Sequence, residues 1–118
     1  MATIRGDAGE RTLQVAVDTG ATLCVFPPSA LEAAGIGTVG ARRISMTTAS
    51  GDLPVAVVTI PAVRVGRAVA LGVEAALHEL PASGFVDGLL GLSFLRRFNI
   101  TIDFVRGWLN LESERRNP

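Results

Sequence analysis

The sequence predicts an all-β fold with one or two short helices. Turn-forming residues recur about every ten positions, which favours many short strands over an alternation of strands and helices. The 118 residues fall within the usual size of one domain, 1–118, for which we expect a core over residues 2–112 and a frayed tail at 113–118. Apolar residues make up 48% of the chain, which is enough for a packed core and leaves apolar surface for a subunit interface.

Charge balance and cysteine content exclude several classes of function. Eleven basic residues balance eleven acidic ones, and no basic stretch is long enough to follow a phosphate backbone, so we expect no nucleic acid partner. One Cys and one His cannot supply an intrachain disulfide or a four-ligand zinc site. We therefore expect neither a metal nor another cofactor.

The apolar stretches of the sequence do not determine the cellular compartment of the protein. The most apolar region, residues 53–77, contains two prolines and several charged residues, so we expect no membrane span in this chain. The first residues lack the charged and apolar regions of a secretory signal. A soluble cytoplasmic domain is one interpretation, and a tethered or periplasmic domain cut from a longer precursor is the other.

An alternating pattern near the start of the chain predicts a strand that ends at an acidic residue. Leu13, Val15 and Val17 alternate with polar or small residues, so one face of this strand should enter the core and Asp18 should lie at its end. A second strand is expected from Thr22 to Phe26, where two prolines halt it.

Two short helices are predicted from their end signals. Ser29 and Glu32 match a capping box with Ser29 as N-cap, and Gly35 is placed to end this helix after about two turns. Ser93 is expected to cap a second helix from Phe94 to Phe98.

Glycine-containing turns predict two β-hairpins in the middle of the chain. The first turn spans Ala49 to Asp52, and the second lies at Gly66-Arg67. The predicted strands are 43–48 and 53–60 for the first hairpin and 62–65 and 69–77 for the second. A loop at 80–87, an apolar run at 88–92 and two final strands at 99–104 and 108–112 complete the pattern.

The triplet Asp18-Thr19-Gly20, followed by Ala21, is the most specific motif in the chain. It comes directly after one apolar strand and directly before another, and Gly20 permits a turn that a side chain would obstruct. One interpretation is an Asp that caps a turn by hydrogen bonding to the backbone two residues on. The other is a catalytic carboxylate presented at the end of a strand.

A second motif, Leu89-Leu90-Gly91, ends 73 positions after Asp18, since 91 − 18 = 73. On its own it would indicate an ordinary buried strand. Together the two motifs resemble the retropepsin-like aspartic proteases, in which an apolar-apolar-Gly strand threads beside the loop of the catalytic Asp. The resemblance covers roughly 13–112, is supported in the middle third by strand pattern alone, and is greatest to cellular and bacterial single-domain members.

The resemblance implies a catalytic pair of carboxylates, and the chain contains one Asp-Thr-Gly triplet. Two carboxylates about 3 Å apart share one proton, so that one activates water while the other donates to the scissile carbonyl. Asp52, Asp87 and Asp103 lack the following Thr/Ser-Gly. The second carboxylate is therefore expected from another copy of the chain, in a twofold homodimer that closes the single-lobe fold.

The resemblance also implies a role for each residue of the two motifs. Asp18 is the expected catalytic acid, and Thr19 is expected to hydrogen-bond across the dimer beneath it. Gly20 and Ala21 leave room beside the catalytic pair. The strand Leu89-Leu90-Gly91 is expected to support the catalytic loop.

The turn at Ala49, Ser50 and Gly51 is the candidate flap, which would close over an extended peptide and bind its backbone. The alternative is a plain surface hairpin. The flap Tyr of two-lobed enzymes has no counterpart here, because the chain contains no Tyr.

These observations predict an aspartic endopeptidase that acts as a homodimer on an extended peptide or protein substrate. The alternative is a non-catalytic member of the same fold that dimerises or binds peptides. The dimer strands could come from Met1–Arg5, from Trp108–Glu112 or from both, and Trp108 could be a dimer anchor or a core residue.

Overall fold

Ten strands and two short α-helices make up the part of the chain that the computed structural model describes, residues 1–48 and 50–113. Ala49 of the candidate flap and residues 114–118 of the predicted tail lie outside the described residues, and Ser113 belongs to the last strand. In chain order the elements are β1 Ala2–Gly6, β2 Gly9–Leu13, β3 Val15–Val17, β4 Cys24–Phe26, α1 Pro28–Ala33, β5 Arg42–Thr48, β6 Gly51–Val65, β7 Ala68–Leu77, a 3₁₀ turn Ala82–Gly84, β8 Gly88–Leu90, α2 Leu92–Leu95, β9 Phe98–Asp103 and β10 Trp108–Ser113.

Eight of these strands form one sheet, in the order β2-β1-β6-β7-β4-β8-β3, with β5 paired to β6. The strand β8 lies between β3, to which it is parallel, and β4, to which it is antiparallel. The hairpin of β9 and β10 forms a separate two-stranded sheet. This topology confirms the predicted all-β fold with two short helices.

The core consists of one large cluster and one small one. The large cluster includes the fully buried side chains of Ile4, Phe26, Ile60 and Phe94. The small cluster contains Val25, Val55 and Ala76, with further apolar side chains packed against it: Leu23, Ile44, Met46, Leu80 and Leu89. Several residues of the small cluster also line the candidate active site described below.

The helix α1 begins without the predicted capping box. Its N-cap is Pro27, no side chain caps it, and Ser29 lies exposed inside the first turn. The reason is Pro28, which occupies the first turn with a preset φ and no N–H to satisfy. The predicted helix end is confirmed, because Gly35 follows the helix with φ +74°.

The helix α2 also begins earlier than predicted, after Gly91, and Ser93 does not cap it. Instead the Ser93 hydroxyl accepts a hydrogen bond from the backbone N–H of Cys24 at 2.9 Å and donates one to the carbonyl of Glu74 at 2.7 Å. The side chain therefore joins the helix to β4 and β7.

A Ser93→Ala variant is expected to lose about 1–3 kcal/mol of unfolding free energy, because the amide of the buried residue Cys24 is left without its acceptor. The midpoint of urea unfolding measures this loss. Ser29→Ala is the matched control, and it should change the unfolding free energy by less than about 0.5 kcal/mol. Equal effects of the two substitutions would contradict this assignment of Ser93.

The predicted division into separate strands at 53–60 and 62–65 is wrong, since β6 runs without interruption from residue 51 to 65. The paired residues on either side are Ile60 with Val73 and Ala62 with Leu71, which puts Pro61 opposite Gly72. Proline has no N–H to donate to the neighbouring strand, so the regular hydrogen bonding of the two strands is interrupted at this pair. Gly72 accommodates the interruption with a φ of +63°. The guanidinium of Arg97 donates to the carbonyls at 71 and 72, at 2.9 and 3.1 Å.

The strand β3 departs from the predicted alternation toward its end. Leu13 is buried in the preceding strand β2 and Val15 is half-buried, but Val17 is exposed. The reason is that β3 is the last strand of the sheet and runs past the core toward Asp18. Trp108 is 49% exposed, so it is not a core residue.

Candidate active site

The two predicted motifs lie side by side in the structure. Asp18 directly follows β3, and its backbone N–H donates to the carbonyl of Leu90 at 3.0 Å, which extends the parallel pairing of β3 with β8. The register of that pairing joins Ala16 to Leu89 and Val17 to Leu90. The aspartate is therefore held at the carboxyl end of two paired parallel strands.

The Asp18 side chain organises the turn that follows it. The N–H of Gly20 donates to Asp18 Oδ1 at 3.0 Å, and the N–H of Ala21 donates to the Asp18 carbonyl at 3.2 Å. This is the turn-capping geometry that the sequence allowed. Within residues 1–48 and 50–113, no group donates a hydrogen bond to Asp18 Oδ2, so one carboxylate oxygen can still contact a water or a substrate. Thr19 lies exposed on the turn.

Backbone hydrogen bonds fasten the far side of this turn to the start of α2. The N–H of Leu92 donates to the carbonyl of Ala21 at 2.8 Å, and the N–H of Ser93 donates to the carbonyl of Thr22 at 3.0 Å. The loop is thus fixed at both ends, through Leu90 before the turn and α2 after it. Such anchoring holds a side chain in one geometry.

Gly91 and Gly88 permit this close contact. A Cβ built on Gly91 would lie 2.3 Å from the carbonyl oxygen of Leu23 and 2.8 Å from that of Ala21. A Cβ on Gly88 would lie 2.4 Å from the carbonyl oxygen of Val25. Backbone cannot move aside as a flexible side chain can, so both positions require glycine.

A cavity of about 440 Å³ opens beside the Asp18 turn. Its lining combines residues of the turn and of β4 with residues 44–47 of β5. Asp18 is the ionisable side chain among the described lining residues, and most of the others are apolar or small. The lining residues are Asp18, Gly20, Ala21, Thr22, Leu23, Val25, Ile44, Ser45, Met46, Thr47, Ala76 and Leu89.

The predicted first hairpin forms, with β5 paired to β6 from Arg42 opposite Val57 to Thr48 opposite Gly51. Ser50 and Gly51 are exposed at its turn. The part of the hairpin that lines the cavity is residues 44–47 of β5, which the sequence reasoning did not single out. The sequence pattern that could have indicated these residues is the alternation of Ile44 and Met46. Side chains two positions apart in a strand lie on the same face of the sheet.

The other aspartates considered as a second carboxylate have contacts elsewhere. Asp87 Oδ2 accepts from the N–H of Gln14 at 3.0 Å, at the end of β3 opposite to Asp18. Asp52 Oδ1 accepts from the Thr47 hydroxyl at 3.0 Å. Asp103 accepts from the backbone of its own turn. None of the three belongs to the described lining of the cavity.

Two further features concern metals and membranes. Among the described residues, no group of three His, Cys, Asp or Glu side chains could hold a metal ion. No helix in the described part of the chain has the length and apolar character needed to cross a membrane.

Comparisons with known proteins agree with this site and fold. The sequence profile of the aspartyl protease family matches residues 1–94, so the chain belongs to that family. Its fold is similar to the crystal structure of a retropepsin-like aspartic protease from Rickettsia conorii, with a TM-score of 0.62 and 22% sequence identity over 94% of this chain and 88% of that chain. A comparison with curated protein sequences finds no match. The resemblance predicted from the two motifs is confirmed, and this is a retropepsin-like aspartic protease fold.

Proposed function

We propose that the protein is an aspartic endopeptidase that acts as a homodimer, with the Asp18 carboxylates of two copies facing each other across a twofold axis. The observation that carries the proposal is the position of Asp18. It lies on an anchored turn beside a 440 Å³ cavity, with one carboxylate oxygen unoccupied by any described donor. Family membership supports the same chemistry.

The proposed reaction uses the two carboxylates differently. One is ionised and removes a proton from a water molecule, whose oxygen attacks the scissile carbonyl carbon. The other is protonated and donates its proton to the carbonyl oxygen, giving a tetrahedral intermediate. Collapse of that intermediate breaks the C–N bond. The leaving amine takes the proton that the first carboxylate removed from water, and the other carboxylate recovers a proton from a hydroxyl of the intermediate, which leaves as the carboxylic acid product. Two carboxylates are required, and the described lining of the cavity contains one, which supports a second copy as the source of the other.

The cavity supports an extended peptide as the substrate. In the described part of the chain, β5 pairs with β6 alone, so its other edge can accept a further strand. The apolar side chains of Leu23, Ile44 and Met46 offer contacts for apolar substrate side chains.

The remaining motif residues are proposed to support this chemistry. Thr19 is exposed on the turn, where its hydroxyl can reach the matching turn of a second copy. Gly20 and Ala21 leave space beside the paired carboxylates. The strand Leu89-Leu90-Gly91 fixes the turn, and the hairpin end at Ser50 and Gly51 is proposed to close over the bound peptide.

Purified wild type is expected to cleave peptides. The assay incubates the protein with a peptide library from acidic to neutral pH and maps the cuts by mass spectrometry. A purified dimer that cuts nothing would favour the peptide-binding alternative.

A further inference from the structure

A second cavity, of about 390 Å³, opens beside the loop that joins β7 to β8. Its described lining consists of residues of that loop together with Pro27 and Ser29 at the start of α1. None of these residues lines the cavity beside Asp18, and the function proposed above uses none of them. We call this second site the loop cavity.

Backbone hydrogen bonds fasten the loop at both ends. Where β7 ends, the N–H of His78 donates to the carbonyl of Phe26 at 3.0 Å. Just before β8, the N–H of Asp87 donates to the carbonyl of Gln14 at 2.7 Å, and Asp87 Oδ2 accepts from the N–H of Gln14 at 3.0 Å. The residues between these points are therefore held beside the core, and the loop cavity has a defined lining.

The loop cavity contains two carboxylates whose charge is not balanced by its other lining residues. Glu79 and Asp87 both line it, and both are exposed. Within residues 1–48 and 50–113, no side chain or backbone group donates a hydrogen bond to the Glu79 carboxylate or to Asp87 Oδ1. The described lining includes no basic side chain. The loop cavity is therefore negatively charged and has acceptor oxygens to offer.

An exposed aromatic ring stands beside these carboxylates. Phe85 lines the loop cavity, is 85% exposed and belongs to neither core cluster. Its φ is +59°, in the left-handed region that bulky side chains rarely adopt, so this position costs conformational free energy without core packing in return. The face of a phenyl ring attracts cations, and most often the guanidinium group of arginine.

We infer that the loop cavity binds a basic side chain, arginine or lysine, of the peptide substrate. A guanidinium or ammonium group would donate charge-assisted hydrogen bonds to Glu79 and Asp87 and lie against the ring of Phe85. A neutral side chain would leave both carboxylates without a counter-charge. The inference rests on the proposed function, since the occupant is part of the peptide that this function cleaves.

The loop cavity lies within reach of a peptide bound at Asp18. Gln14, which is hydrogen-bonded to Asp87, directly precedes β3, and Asp18 directly follows it. From residue 14 to residue 18 a strand rises by about 13 Å, and an extended peptide covers that length in about four residues. Leu80 lines the loop cavity and packs against the small core cluster, which includes Val25 of the Asp18 cavity.

The distance therefore predicts a basic residue about four positions from the scissile bond. In a twofold dimer each copy has its own loop cavity, so the preference is expected on both sides of that bond.

The test compares peptides that differ only in charge at one position. In the peptide that the protein cleaves best, each position up to about six from the scissile bond is replaced in turn by arginine or by citrulline, which keeps the shape of arginine and lacks its charge. About four positions from the bond, kcat/KM is expected to be at least about fivefold higher with arginine than with citrulline. A ratio near one at every position would overturn the inference.

Two variants of the loop cavity and one control locate the source of the preference. Glu79→Lys is expected to bring the ratio to one or below, because it places a positive charge in the cavity, and Phe85→Leu is expected to lower the ratio. Asp7→Lys is the matched control, since it makes the same change of charge at an exposed position between β1 and β2 and should keep the wild-type ratio. Circular dichroism of each variant verifies its fold. A ratio that either cavity variant leaves unchanged, or that Asp7→Lys lowers as much, would overturn the inference.

Binding measured without cleavage separates the two proposals. If the protein cuts no peptide, the same substitutions are made in the library peptide that binds most tightly, and calorimetry measures the dissociation constants. Tighter binding of the arginine peptide that Glu79→Lys abolishes would support the loop cavity and contradict the proposed function. Cleavage of the arginine and citrulline peptides at equal rates would support the proposed function and contradict the loop cavity.

Discussion

An Asp18→Asn variant is expected to fold and dimerise like wild type and to lose peptide cleavage by at least about 10²–10⁴-fold. The amide keeps the shape of the side chain, and its oxygen can still accept the hydrogen bond from Gly20 that organises the turn. It cannot take a proton from water, so no general base remains. Loss of the negative charge also removes repulsion between the two facing side chains, which favours the dimer.

Initial rates on the best peptide from the library, together with sedimentation of the same sample, measure both parts of this prediction. Asp7→Asn is the matched control, since Asp7 is exposed in the turn between β1 and β2. The control should keep wild-type activity. An Asp18→Asn dimer that cleaves at the wild-type rate would refute the catalytic role of Asp18.

A Gly91→Ala variant is expected to lose about 3 kcal/mol of unfolding free energy, together with its activity. The new methyl group would lie 2.3 Å from the carbonyl oxygen of Leu23 and 2.8 Å from that of Ala21. To relieve this overlap, α2 or the Asp18 turn must shift, and the hydrogen bond from Leu92 to Ala21 must lengthen or break.

Urea unfolding and peptide cleavage measure the two effects. Gly84→Ala is the matched control, because no atom lies within 4 Å of the Cβ it would add. The control should keep wild-type stability within about 0.5 kcal/mol. If Gly91→Ala were as stable and active as Gly84→Ala, the close packing of β8 against the Asp18 turn could not be what fixes the site.

Most strands and the turn at Asp18 were predictable from local patterns, because the alternation before Asp18 and the two glycine turns depend on near neighbours in the chain. The hairpin of β5 and β6 and the turn at Asp18 accordingly form as predicted. The contact between the two motifs, which lie 73 positions apart, was predictable only from their resemblance to a known family.

The predictions that were wrong concern residues whose structure depends on contacts between distant segments of the chain. Ser93 has the sequence of a cap, but its hydroxyl bridges two strands that are 19 and 69 residues away. The sequence predicts two strands on either side of Pro61, but they form one strand, and Gly72 across the sheet accommodates the proline with φ +63°. Val17 has the period of a core residue, but β3 is an edge strand and leaves it exposed. No local pattern contains this information.

The most direct test of the shared catalytic pair is a subunit-mixing experiment. Wild type and the Asp18→Asn variant are combined at constant wild-type concentration, incubated until subunits exchange, and assayed with peptide in large excess. With random pairing, activity per wild-type chain should fall to about one half in an equal mixture and to about one tenth in a roughly ninefold excess of the variant, because mixed dimers hold one carboxylate. Activity per wild-type chain that stays constant at every ratio would contradict a site shared between two copies.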